Sequence, residues 1–138
     1  KMIELISKNF ENNVSFWGDG WSKYVSNSYS TSLAPRYFYK HALCCLDFGS
    51  LQFDTPLFPR TCEIIKNGGL LISSFVNDKC TLVNENQFKT SDEMLTIIED
   101  TFNPTIRQEK LEKQKLLFSK FSFHKIMRNV IKKVYETV

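Results

Sequence analysis

The stretch that decides the fold is Leu57-Phe58-Pro59-Arg60-Thr61-Cys62-Glu63-Ile64-Ile65-Lys66-Asn67-Gly68-Gly69-Leu70-Leu71-Ile72-Ser73-Ser74. Proline suits the first turn of a helix, where its missing N–H would have had no intrahelical partner. Paired glycines a turn or two later stop the helix, because glycine takes the left-handed conformation of a helix end at little cost. The apolar run from Leu70, continued through Phe75-Val76, reads as a buried strand. The stretch is therefore predicted as loop, short helix, glycine stop and strand. Arg60 and Glu63 sit three apart in the first turn, so they share a face and reach toward a common ligand. A helix start also holds anions readily, since its first backbone N–H groups point outward unpaired.

Upstream, Ala42-Leu43-Cys44-Cys45-Leu46 is a short unbroken apolar run, which predicts a strand buried on both faces. The loop from Asp47 to Pro59, containing Gly49 and Pro56, leaves the carboxyl end of that strand. In open parallel sheets this is where ligands bind. Ser32 is a candidate N-cap, with Pro35 near the start of a helix through Leu33, Tyr37, Phe38 and His41. No nucleophile or acidic partner can be assigned to His41, which reads as a packed or partly exposed residue.

Nearer the start, Met2 to Phe10 carries a helical apolar stripe at positions 2, 3, 5, 6 and 10, followed by a turn at Glu11-Asn12-Asn13. Val14-Ser15-Phe16-Trp17 alternates as a strand and enters Gly18-Asp19-Gly20-Trp21. Local sequence favours a β-hairpin there, with Asp-Gly between Val-Ser-Phe-Trp and Trp-Ser-Lys-Tyr-Val, while Ser22 to Thr31 reads mostly as loop with a short strand at Tyr24-Val25. The other reading is a strand-to-ligand loop of a parallel sheet, in which Gly18 and Gly20 allow the backbone to approach a ligand closely.

Downstream, Thr81-Leu82-Val83 reads as a short strand beyond a turn at Asn77-Asp78-Lys79. Thr90-Ser91-Asp92-Glu93 has capping-box form and opens a helix carrying Met94, Leu95, Ile97, Ile98 and Phe102. Asn103-Pro104 opens a second helix from Thr105 to about Lys120. Ser122 begins a third, with a stripe at Phe123, Ile126, Met127, Val130, Ile131 and Val134 and basic residues mostly opposite. Such a stripe packs on its own sheet or on a partner domain; peripheral contact with the inner face of a membrane is the alternative.

The 138 residues, 42% hydrophobic and 24% charged with twelve Phe, suit one globular domain over 1–138, with 104–138 a helical tail. No run reaches the roughly 18 to 20 apolar residues needed to span a bilayer, and no export pattern opens the chain, so a cytoplasmic protein is expected. Lys1 precedes Met2, which leaves an upstream segment open. Four cysteines (Cys44, Cys45, Cys62 and Cys80) and two histidines have no disulfide-scaffold or zinc-ligand spacing; no metal or cofactor is expected. The net charge of +3 is spread out, which argues against nucleic acid and suits a small anionic ligand. Alternating helices and short buried strands predict an α/β fold: a Rossmann-like, mainly parallel sheet flanked by helices.

The order of parts, from Val14 to Trp17 with Gly18-Asp19-Gly20, through Pro59-Arg60-Thr61-Cys62-Glu63 and Gly68-Gly69, to Phe88-Lys89-Thr90-Ser91-Asp92-Glu93-Met94 and Phe121-Ser122-Phe123, resembles the C-terminal, nucleotide-sugar-binding half of GT-B-fold glycosyltransferases. The likeness is to the group whose helix begins with an Arg-Thr-Phe-Glu-like motif before a Gly-Gly strand. It implies that Glu63 accepts hydrogen bonds from the ribose hydroxyls of the donor, that Arg60 beside Thr61 faces the diphosphate, and that Gly18 and Gly20 form a neighbouring wall. It further implies a metal-independent transfer of sugar from a nucleotide donor to a glycan, lipid-linked or protein acceptor, as in surface polysaccharide synthesis. An acceptor-binding N-terminal domain and a first strand are then expected outside these residues. Two departures stand out: Thr55 takes the place where many relatives carry a second glutamate, and Cys62 replaces an aromatic or apolar residue.

Two rival readings belong to other classes. Asn67-Gly68-Gly69-Leu70-Leu71-Ile72 also resembles a late turn and strand of class I methyltransferases, although no glycine-rich methyl-donor loop is visible. A non-catalytic α/β module binding another protein through the tail stripe is the other.

Overall fold

The computed structural model describes residues 2–18, 20–26, 28–29, 36–48, 59–74 and 84–120. The chain divides into two compact units, Lys1–Phe38 and Tyr39–Val138.

In the first unit, helix α1 (Met2–Phe10) follows the apolar stripe, with Ile6 fully buried at its centre. Strand β1 (Phe16–Trp17) pairs with β2 (Ser28–Tyr29) in parallel, Phe16 opposite Ser28 and Trp17 opposite Tyr29. This corrects the hairpin reading. The Gly18 N–H donates to the Tyr29 carbonyl at 2.9 Å and extends the parallel contact. Gly20, at φ +88°, turns the chain into a 3-10 turn at Trp21–Lys23. The Trp21 carbonyl then accepts the N–H groups of Tyr24 and Val25, at 2.8 and 3.0 Å. These bonds hold Tyr24-Val25 in a turn where a short strand was expected.

Helix α2 (Arg36–His41) leads into the second unit, where β3 (Cys45–Asp47), β4 (Leu71–Ser74) and β5 (Gln87–Phe88) form a sheet in that order. Both pairings are parallel, with Cys45, Leu46 and Asp47 opposite Leu71, Ile72 and Ser73, and Ser73 and Ser74 opposite Gln87 and Phe88. Parallel neighbours need a crossover, and helix α3 (Pro59–Lys66) lies in the one between β3 and β4. The fold class is thus mixed α/β with short parallel sheets flanked by helices.

Strand β3 begins three residues later than the apolar run predicted. The Arg107 guanidinium donates from Nε to the Leu43 carbonyl at 2.8 Å and from Nη2 to the Ala42 carbonyl at 3.0 Å. Those two carbonyls are therefore satisfied by a side chain, and the contact with the next strand opens at the Cys45 N–H, which donates to Leu70 at 2.7 Å. Nor is β3 buried on both faces: Cys45 and Leu46 are half-buried, and Asp47 is its most enclosed residue. Strand β5 was not foreseen. The expected strand at 81–83, the end of β4 at 75–76, the Ser32 cap, the loop through Thr55, Leu57 and Phe58, and the helix from Ser122 lie outside the described residues.

The predicted glycine stop is present in detail. Gly68, at φ +81°, donates its N–H to Ile65 at 3.1 Å, and Gly69 donates to Ile64 at 2.9 Å, the paired bonds of a Schellman helix end. Beyond it, Leu70, Leu71 and Ile72 are wholly buried. At ~1.5–3 kcal/mol per fully buried aliphatic side chain, these three and Ile64 and Ile65 of α3 dominate the local packing.

Helix α4 (Ser91–Asp100) starts with the predicted capping box, Thr90 Oγ1 accepting from the Glu93 N–H and the Glu93 carboxylate accepting from the Thr90 N–H. Helix α5 (Pro104–Ser119) starts at the predicted Asn103 cap, whose Oδ1 accepts from Thr105 and Ile106. Leu117 and Phe118 of α5 pack on the cluster of Ile64, Ile65 and Leu71. Among the described residues no helix is long and apolar enough to cross a membrane.

Candidate functional site

The carboxyl end of β3 and the amino end of α3 are joined by a hydrogen bond. Asp47, the last residue of the strand, is 8% exposed; Thr61, in the first turn of the helix, is 4% exposed. The Thr61 hydroxyl donates to Asp47 Oδ2 at 3.3 Å. Helical spacing then fixes the rest. With Thr61, Ile64 and Ile65 turned inward, Arg60 is left exposed and Glu63 half-buried. The charged pair thus stands at the start of a helix, beside the carboxyl end of a parallel strand.

Tyr39, from α2, packs against Ile64, Ile65 and Leu71, and its phenol pKa is raised. Burial is the main cause, followed by the Glu63 carboxylate and Cys45; Arg60 opposes them, and Asp47 adds a smaller push upward. Glu63, Arg60 and Asp47 therefore all lie close enough to Tyr39 for their charges to act on its phenol. The Cys62 thiol on the same helix is half-buried, and burial raises its pKa.

No protein-family model, curated protein or solved structure matches this chain. The site is therefore read from its own geometry. Of the residues predicted to bind a donor nucleotide, Arg60, Thr61 and Glu63 share α3, but the Thr61 hydroxyl is turned inward and bonded to Asp47. Gly18 and Gly20 belong to the first unit. Both have positive φ, +134° and +88°, so glycine is needed there for backbone conformation. Among the described residues nothing stands within 4 Å of where a Gly20 Cβ would lie.

Asp47 and Tyr39 were not singled out by sequence. A signal for Asp47 existed: it is the charged residue that closes the apolar run ahead of the loop. Tyr39 carried no such mark, because only the fold sets it beside α3. His41 is exposed at the end of α2. No group of three or more metal-ligating side chains occurs among the described residues. A separate open groove of about 350 Å³ is lined by Gln87, Thr90, Asp92, Glu93, Thr96 and Ile97, none of them a predicted site residue. Glu93 is already engaged there in capping α4.

Proposed function

We propose that this chain binds the nucleotide part of a nucleotide-sugar donor and serves sugar transfer as part of a glycosyltransferase. The observation that carries this reading is the place of Arg60 and Glu63: on the first two turns of α3, next to Asp47 at the carboxyl end of β3. This is the edge of a parallel sheet where ligands are held in open α/β folds. A carboxylate at Glu63 offers enough acceptor sites to take two vicinal ribose hydroxyls. The guanidinium of Arg60 suits phosphate oxygens, and it supplies positive charge where negative charge builds on the leaving diphosphate. Metal-independent transfer follows from that role, because Arg60 and the helix start would do the work of a cation.

The test is calorimetric titration of UDP, GDP, dTDP and CMP into the full-length natural polypeptide and its Glu63→Ala variant. One nucleotide is expected to bind, and the variant to bind it at least about tenfold more weakly, the factor given by ~1.4 kcal/mol. Absence of binding to all four sinks the reading.

A non-catalytic interaction module is favoured by a different observation, in the first unit. Trp17 stacks on Tyr29 at 4.6 Å and touches Phe38 at 4.9 Å, and Phe38 meets Tyr37 edge-on. Tyr37 is 71% exposed and Phe38 50%, a large aromatic surface left to solvent. Light scattering that shows a stable hetero-complex, with no response to nucleotide, selects this second reading.

A further inference from the structure

We infer that Asp47 and Thr61 are positioning residues for the Arg60–Glu63 face, an inference that rests on the nucleotide-binding reading of that face. Thr61 stands between Arg60 and Glu63 in sequence and suggests a third ligand contact, yet its side chain is almost wholly buried and its hydroxyl is given to Asp47. The pair instead anchors the beginning of α3.

The two ends of α3 are held by different means. At its far end Gly69 lies so close to the helix that an added Cβ would stand 2.9 Å from Ile64 Cγ2 and 3.1 Å from the Tyr39 carbonyl, and Ile64 and Ile65 pack with Leu71. That end is fixed by close apolar packing. At the near end the described contact between helix and strand is polar, Thr61 Oγ1 to Asp47 Oδ2, across a separation of 14 residues. Asp47 is itself held in the sheet opposite Ser73. Removing the Thr61 hydroxyl leaves a buried carboxylate short of one donor and the first turn without this tie, while the apolar end stays packed. Because Arg60 and Glu63 lie on either side of Thr61, their common aim depends on that tie.

Amide hydrogen exchange and nucleotide titration of the full-length polypeptide test this together. The amides of Glu63 and Ile64 are the first in α3 that can bond within the helix. In Thr61→Val, which keeps shape and loses the hydroxyl, they are expected to exchange about tenfold faster, while Ile98 of α4 and Leu111 of α5 are unchanged. Affinity for whichever of UDP, GDP, dTDP and CMP binds the wild type is expected to fall about tenfold with it. Thr61→Ser, which restores the hydroxyl, returns both to wild-type values. Asp47→Asn, which keeps an oxygen acceptor for Thr61, provides a second variant if Thr61→Val does not fold; its Glu63 and Ile64 amides are expected to stay slow. Unchanged exchange in Thr61→Val, or fast exchange in Asp47→Asn, overturns the anchor. Faster exchange with undiminished nucleotide affinity overturns its link to the site. Faster exchange in a protein whose wild type binds none of the four nucleotides supports the anchor and removes the nucleotide reading alone.

Discussion

Gln114 completes the backbone pairing of Leu71. The side-chain oxygen of this buried residue of α5 accepts the Leu71 N–H at 2.9 Å, and its amide nitrogen donates to the Gly69 carbonyl at 2.8 Å. Strand β5 reaches β4 only at Ser73 and Ser74, so the glutamine amide serves the segment from Gly69 to Leu71 where no strand of the described sheet pairs with it on that side. Gln114→Leu, which fills similar space without the amide, strands two buried backbone groups. A loss of about 2–4 kcal/mol in urea unfolding is expected, well above that of an exposed α5 change such as Glu109→Gln.

The two glycines after α3 are required for different reasons, and their alanine variants should separate them. Gly68 needs the left-handed backbone, φ +81°, while among the described residues an added Cβ would meet only Lys40 Cγ at 3.8 Å. Gly68→Ala is expected to cost about 1 kcal/mol, and Gly68→Asn less, because asparagine tolerates that conformation. At Gly69 the added Cβ would stand 2.9 Å from Ile64 Cγ2 and 3.1 to 3.2 Å from two backbone oxygens. Gly69→Ala is expected to lower Tm by more than Gly68→Ala, since backbone must move to admit it. Equal shifts in thermal unfolding contradict this division.

The same contrast marks what could be read from sequence. Elements bounded by chemistry within a few residues were legible: Pro59 and Gly68 set α3, Thr90 and Glu93 set the start of α4, and Asn103 with Pro104 set α5. Elements bounded by a distant partner were not. The start of β3 depends on Arg107, 64 residues from Leu43, and the two-residue strands β2 and β5 exist only as neighbours of β1 and β4. The candidate site divides the same way. Arg60 and Glu63 follow from helical spacing, whereas the inward turn of Thr61 follows from Asp47 on another element.

The adjacent thiols of Cys44 and Cys45 are expected to be poor nucleophiles in the folded protein. Burial pushes the first up to about 11, with Thr101, Arg107 and Lys110 acting against it, and pushes the second up to about 12, with Cys44 adding to the rise. A pKa of about 11 in place of 9.0 leaves about a hundredfold less thiolate at pH 8, so alkylation by iodoacetamide should be slow until the protein is unfolded. The linked effect on stability has a definite sign. Folded pKa values above the unfolded value mean that the unfolded chain releases these protons first. The contribution is fully present below pH 9.0 and is lost as the pH rises through about 11 and 12. Urea midpoints measured from pH 8 to 10.5 should fall over the upper part of that range, and Cys45→Ala should make the fall shallower.

If Arg60 and Glu63 hold different parts of one nucleotide, as proposed, their variants are separable. Arg60 is exposed and carries the site's positive charge, so Arg60→Ala should weaken binding of a nucleoside diphosphate about 10- to 100-fold while leaving the parent nucleoside nearly untouched. Its loss should also flatten the salt dependence of diphosphate binding, since an exposed ion contact is screened by salt. Glu63→Gln keeps the shape but loses the carboxylate, so it should weaken nucleoside and diphosphate by similar factors and reduce the preference for ribose over 2′-deoxyribose. Calorimetry on the two ligands at two salt concentrations distinguishes these patterns. If both variants weaken both ligands alike, Arg60 and Glu63 act together in holding α3, and neither is assigned to a separate part of the nucleotide.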